Sequence, residues 1–284
     1  MCGIIGYLGQ KKALPILLKG LKQMEYRGYD SSGVALIEND KLWVEKKQGK
    51  LDELKKVLKR KKIDSNLGIG HIRWATHGAP SDLNAHPHQD CHNQLAVVHN
   101  GIIENYHELK TELSKKGHIF KTETDSEVIV HLIEEYYQDN VLEDAVKIAL
   151  EKVSGAYGLV VFSLKENKLV AARLGSPVVL GIGKKEYLVA SDVTALLPFT
   201  KEVLFLEEAE IAVIKPEGYK IMKLSGGESL RETQTVDWDV EEAEKGGYSH
   251  FMLKEIMEEA ETVRSSMRGR VILDEGRVVL GGLI

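Results

Sequence analysis

Cysteine is scarce in this chain: two among 284 residues, Cys2 and Cys91, far apart and outside any C-x-x-C pair. That scarcity excludes a disulfide-stapled secreted module and leaves two free thiols in a reducing compartment as the expectation. Positive charge is not in excess either. Lys and Arg number 38 against 43 Asp and Glu, a net charge of −5, so no basic footprint for nucleic acid is present. The short run Lys55–Lys62 reads as the solvated face of a helix. No apolar stretch approaches the roughly 18 residues that a membrane span needs, and the N-terminus lacks a basic-then-apolar signal. The expectation is a cytoplasmic protein without nucleic-acid or membrane partners. What is there, 43% apolar and 29% charged residues, suits a globular chain of one large domain or two small ones.

Leu14, Leu17, Leu18, Leu21 and Met24 recur at helical spacing, which predicts an amphipathic helix over 13–24. Strands are expected at 33–37, 42–45, 67–73 and 94–99, each bounded by Gly, Asn or Asp. Helical periodicity returns over 104–116, 125–138 and 141–152, with Thr124-Asp125 as a cap for the second of these. Seven more strands are expected over 157–163, 168–173, 178–183, 187–190, 203–206, 211–215 and 219–223. Clustered strands with helices grouped between them predict antiparallel sheets in a layered α+β build rather than a parallel βαβ repeat. The polar stretch 225–249 marks a domain exit, giving a main domain over 1–240 and an exit linker, helix and hairpin over 241–284. Two readings of the apolar ending stay open: a last hairpin on the main sheet, or a chain that stops short of a second domain.

Four stretches carry candidate chemistry. If Met1 is removed, Cys2 bears both a thiol, titrating near about 8.5, and an α-amine near about 7.7–8.0 that can serve as its base. A small buried residue in a first strand is the plainer reading. HIRWATHG (71–78) combines a guanidinium fork, hydroxyl and backbone donors and an indole, the makings of an anion-binding loop, although an Arg or Trp at a strand end is often structural. VVHNGIIEN (97–105) reads as a strand that breaks at Asn100-Gly101. That pair is first a turn signal and also the donor pair an oxyanion needs. Asp125, after Thr124, either caps a helix or holds an ammonium group. His86, His88, Cys91 and His92 are zinc-ligand types, but their spacing fits no standard site, and neither a metal nor a cofactor is expected. His99 reads as a satisfied core histidine.

Six motifs in order, CGIIG (2–6), EYRGYDSSG (25–33), RWATHG (73–78), NAHPH (84–88), HNGIIEN (99–105) and ETDSE (123–127), make the chain resemble the type 2 glutamine amidotransferases. Within them it is similar to the glutaminase domains of the glutamine–fructose-6-phosphate aminotransferase branch, over residues 2 to about 258. The resemblance implies a four-layer αββα N-terminal-nucleophile hydrolase fold, two antiparallel sheets between helix layers. It implies hydrolysis of L-glutamine to glutamate and ammonia, with Cys2 as nucleophile and Asn100 and Gly101 holding the oxyanion. Arg73, with Thr76 and His77, would take the substrate carboxylate and Asp125 its ammonium, while Trp74 would close the pocket and Arg27 and Gly28 shape its floor. In that branch a sugar-phosphate isomerase domain follows and the full-length protein is a homodimer. This chain is therefore expected to hydrolyse glutamine without a sugar site of its own. Other type 2 amidotransferases and a silent glutamine-binding module are the alternatives. Where relatives usually carry Gln-Pro, Glu259-Ala260 stands here, and the exit helix is expected to run on.

Overall fold

The apolar run behind Cys2 becomes strand β1 (Gly3–Leu8), buried along its whole length. A computed structural model describes residues 2–59, 61–236, 248–267, 271–272 and 277–278. The periodic segment after β1 forms α1 (Ala13–Met24), whose stripe Leu14, Leu17, Leu21 and Met24 is buried as its spacing demands. It has little room to spare. A Cβ on Gly20 would sit 2.0 Å from Ile5 Cδ1, so helix and strand touch there. Strands β2 (Ser31–Glu38) and β3 (Lys41–Gln48), helix α2 (Leu51–Leu58) and strand β4 (Leu67–Arg73) follow.

The middle of the chain supplies β5 (His88–Gln89), β6 (Leu95–Ile103), α3 (Tyr106–Lys115), α4 (Glu127–Tyr137) and α5 (Leu142–Leu150). Then come β7 (Gly155–Ser163), β8 (Glu166–Leu174), β9 (Val179–Gly183), β10 (Glu186–Ala190), β11 (Glu202–Phe205), β12 (Glu210–Lys215), β13 (Gly218–Lys223) and β14 (Gln234–Thr235). They assemble into an eight-stranded sheet, β14-β11-β9-β10-β1-β4-β2-β3, and a six-stranded sheet, β13-β12-β8-β7-β6-β5. Strand pairing in both is antiparallel, as in β1 against β4 and β6 against β7.

Side-chain alternation explains the layering. On β6, Leu95 and Val97 pack with α4 and α5 residues such as Val128, Ile133 and Val146, whereas Ala96 and Val98 pack with Ile4, Leu8 and Ile69 of the other sheet. One strand thus feeds two cores. With α1 on the outer face of the first sheet and α3–α5 on that of the second, the α+β order is helix, sheet, sheet, helix. Truncating a fully buried Leu or Ile in either core, Ile69 for example, should cost about 2–5 kcal/mol.

Two expectations need correction. Strand β6 does not break at Asn100-Gly101 but continues to Ile103, with Gly101 opposite Tyr157 at φ +132. Glycine permits this: a Cβ there would lie 1.9 Å from the Ala156 carbonyl oxygen. Nor does Thr124-Asp125 cap α4, whose N-cap is Ser126 without a side-chain cap bond. The Asp125 carboxylate instead accepts the Ile103 N–H at 2.8 Å, tying the start of α4 to the end of β6.

The chain divides into units Met1–Asp237 and Trp238–Ile284. In the second, α6 (Phe251–Met267) runs unbroken through Glu259-Ala260, with Met252, Ile256 and Met257 exposed. Val271–Ile272 pairs antiparallel with Arg277–Val278, and the intervening 273–276 lie outside the described residues. No helix among the described residues is long and apolar enough to cross a membrane.

Candidate active site

Strand parity brings the first residues together. Ile4 and Leu8 on β1, Ile69 on β4, and Ala96 and Val98 on β6 all face the space between the sheets. Cys2, His71 and Asn100 share their parity and converge at one end of it. The Cys2 sulfur lies 3.2 Å from the Trp74 N–H and 3.4 Å from the Trp74 carbonyl oxygen. Asn100 Nδ2 donates to the Cys2 carbonyl oxygen at 3.3 Å. Its other end is held: Asn100 Oδ1 is 2.9 Å from His71 Nε2. His71 is fully buried and stacks on His86 at 4.3 Å, and burial pushes its pKa down to about 3. A neutral imidazole with its proton on Nε2 donates to the amide oxygen, which turns the amide N–H₂ toward Cys2. Burial raises the Cys2 thiol above its ordinary range, opposed by the Trp74 backbone bond. The resting sulfur is therefore a thiol.

A cleft of about 440 Å³ opens over these groups, lined also by Arg73, Trp74, Thr76, Gly101 and Asp125. Arg73, at the end of β4, is 4% exposed; its Nη2 donates to the carbonyl oxygens of His77 and Gly78, the latter at 3.0 Å. Its Nη1 is buried without a partner. A buried unpaired guanidinium N–H is costly, and an anion in the cleft would satisfy it. Asp30 holds the loop from below. Its carboxylate accepts from the Ala75 N–H and, at 2.8 Å, from Ser31 Oγ. Gly28, at φ +112, lets the Trp74 ring lie so close that a Cβ would come within 2.1 Å of it. Trp74 itself remains half exposed at the cleft mouth.

Of the residues expected at the site, Cys2, Asn100, Gly101, Arg73, Trp74, Thr76 and Asp125 line one cleft. His77 does not line it. Its ring packs on Tyr106 at 5.6 Å, and only its backbone carbonyl reaches Arg73. Gly28 contributes through Trp74, and the side chain of Arg27 lies outside the described residues. His71 and Asp30 escaped the sequence reading, although both stand inside quoted motifs. His99 is a satisfied core histidine, with Nδ1 2.7 Å from Ser126 Oγ. The histidine-rich loop splits: His86 and His88 are buried between His71 and Thr124, whereas Cys91 and His92 face Glu134. Among the described residues, no cluster of metal-donor side chains contains His86 or His88.

Two facing antiparallel sheets between helices, with a cysteine at the first strand's start and an oriented amide beside it, define an N-terminal-nucleophile amidotransferase fold. The profile of the glutamine amidotransferase domain matches residues 59–221, and the chain belongs to that family. It is 49% identical, over 99% of its length, to a glutamine–fructose-6-phosphate aminotransferase of Symbiobacterium thermophilum. Identity is 50% over 95% of the chain to the protein of that name from Aquifex aeolicus. The chain spans less than half of those relatives, 46% and 45% respectively. Among solved structures, the glutamine phosphoribosylpyrophosphate amidotransferase of B. subtilis superimposes with a TM-score of 0.69 at 30% identity, over 80% of this chain and 50% of that one.

Proposed function

We propose that this chain hydrolyses L-glutamine through a Cys2 thioester and supplies the ammonia for glucosamine 6-phosphate synthesis from fructose 6-phosphate. The observation that carries the reading is the Asn100 amide, fixed by a neutral His71 and donating 3.3 Å away to the residue that bears the nucleophile. With Met1 removed, the free α-amine of Cys2 takes the thiol proton as sulfur attacks the side-chain carbonyl carbon of glutamine. Asn100 and the Gly101 N–H stabilise the oxyanion. The protonated amine then returns its proton to the leaving nitrogen, and the C–N bond breaks to give ammonia and a γ-glutamyl thioester. Water attacks the thioester with the amine again as base, releasing glutamate and the thiol. Retained Met1 would acylate that amine and remove the base.

Substrate binding follows from charge. Arg73 Nη1, buried and unpaired, takes the α-carboxylate beside Thr76, Asp125 takes the α-ammonium, and Trp74 covers the bound amino acid. The sugar half-reaction belongs to a longer protein with a sugar-phosphate isomerase domain, supported by relatives about twice this length. The same reading takes that full-length protein as a cytoplasmic homodimer. Assaying glutamate and ammonia from purified chain and glutamine tests the first half. Binding of glutamine without turnover by protein whose Met1 has been removed would favour a silent binding module instead.

A further inference from the structure

The second cysteine sits in a cluster that the glutaminase chemistry does not use. Cys91, in the turn between β5 and β6, meets His118 from beyond α3 and His131 and Glu134 from α4. Its sulfur lies 3.5 Å from His131 Nδ1 and 3.9 Å from His118 Nδ1. Glu134 Oε2 is 3.0 Å from His118 Nδ1 and 3.1 Å from His131 Nδ1. One donor atom from each of the four residues falls within 4.8 Å of all the others. Four ligands at tetrahedral angles around zinc, with bonds of about 2.0–2.3 Å, stand roughly 3.2–3.8 Å apart. The observed separations scatter about those edges.

The outward nitrogens supply an independent observation. His118 Nε2 is 3.1 Å from Glu135 Oε2, and His131 Nε2 lies 3.7 Å from Glu127 Oε1. Both rings turn Nδ1 toward the common centre; His118 Nε2 reaches an outer carboxylate, the orientation such groups give to metal-bound imidazoles, whereas His131 Nε2 is buried without a hydrogen-bond partner. If each Nε2 carries its ring's proton, two Nδ1 lone pairs face one carboxylate oxygen and a sulfur. A cation between them removes that repulsion; the other tautomer, with both neutral rings donating from Nδ1 to Glu134 Oε2, is the metal-free arrangement, which zinc analysis separates from it. Glu134 is fixed as well, since its Oε1 is 2.7 Å from His92 Nδ1. Burial and the neighbouring Glu134 push the Cys91 thiol up, opposed by the Ile119 N–H that donates to its sulfur at 3.3 Å, so metal binding releases the thiol proton. Glu134 and His131 are largely buried, and Phe120 covers the His131 ring at 4.5 Å.

We infer that Cys91, His118, His131 and Glu134 bind one zinc ion as a closed structural site. One thiolate and one carboxylate balance the charge of a divalent cation inside the fold. The mixed sulfur, nitrogen and oxygen set selects zinc over magnesium or calcium. Four protein ligands leave no open position for catalysis. The ion ties the β5–β6 turn and the segment after α3 to α4, the helix that begins just beyond Asp125. No metal is expected from the spacing of the histidine loop; the site draws on Cys91 alone from that loop, with partners as far as 43 residues away in sequence.

The test uses the full chain carrying Cys2→Ala, so that Cys91 is its one thiol, purified under reductant. Elemental analysis should find about one zinc per chain. After chelation, added cobalt(II) should give a thiolate-to-cobalt charge-transfer band and the intense visible bands of a tetrahedral site. Both should vanish with Cys91→Ser and His131→Gln. Zinc should raise Tm of the chelated chain and not that of its Cys91→Ser form. Should the variants fail to fold, competition between the chelated chain and a chromophoric zinc chelator decides. Substoichiometric zinc with no thiolate band, or no competition with the chelator, would overturn the inference and leave a hydrogen-bonded charge cluster.

Discussion

The two thiols of this chain stand in contrasting surroundings. Around Cys2, hydrogen-bonding capacity is left unspent: Arg73 Nη1 is buried without a partner, and the Asn100 amide is held at one end and aimed at the other. Around Cys91, side chains from three segments converge on one point, with Glu134 Oε2 close to both His118 Nδ1 and His131 Nδ1. The first centre opens into a cleft of about 440 Å³. The second joins separate segments of chain. A centre that turns over substrate keeps groups ready for charge that develops later, whereas a structural metal centre gathers its donors about one closed point.

Exchanging the cysteines one at a time breaks this comparison most sharply. Cys2→Ala should lower glutaminase turnover by roughly 10³-fold or more, because the covalent path is gone. Cys91→Ser should leave turnover at 25 °C within a factor of about 3 while lowering Tm. Equal loss in both variants would erase the distinction. Next in size is Asn100→Ala, expected to reduce kcat by about 10²–10³-fold, as for other oxyanion donors. His71→Leu leaves Asn100 in place but frees its amide to rotate, so kcat should fall by roughly 10–100-fold with little change in KM. A His71→Leu enzyme with normal kcat would show that Asn100 needs no orienting partner.

Arg73→Lys should act on the other parameter. A point charge cannot reproduce the fork that reaches the His77 and Gly78 carbonyls while leaving Nη1 free, so KM should rise about tenfold, readable from initial rates. The smallest effect concerns pH. His71 is held at about 3 against an ordinary 6.5, so the unfolded chain takes up the proton first as pH falls. Its contribution to stability is whole above about 6.5 and is lost between there and about 3, at roughly 1.4 kcal/mol per unit. Unfolding free energies from denaturant titrations at pH 6.5 and 5 should therefore differ by about 2 kcal/mol more in the parent than in His71→Leu.

Much of the fold was legible because its signals are local. The stripe from Leu14 to Met24 predicts α1 with both its ends, and the run from Leu67 to Arg73 predicts β4. What was lost depends on partners distant in sequence. Asn100-Gly101 carries a turn signature, yet the β7 neighbour Tyr157 keeps the strand in register through it. Asp125 has the chemistry of a cap, but Ile103 claims its carboxylate. Cys2 and Asn100 stand out in the sequence because few residue types offer their chemistry, and the fold sets them side by side. His71 does not, since a buried histidine acquires its purpose only from the amide 29 positions away. The Cys91 cluster leaves no compact spacing, because its four donors come from three separate segments.

The central claim is that Cys2, freed of Met1, is the nucleophile. The most direct test is an intact-mass spectrum, with peptide mapping, of the chain before and after treatment with a glutamine-analogue electrophile. The predicted result is a chain lacking Met1 that gains one adduct, mapped to Cys2 and blocked by excess glutamine. A chain that keeps Met1 and still turns over glutamine, or an adduct mapped to Cys91, would contradict it.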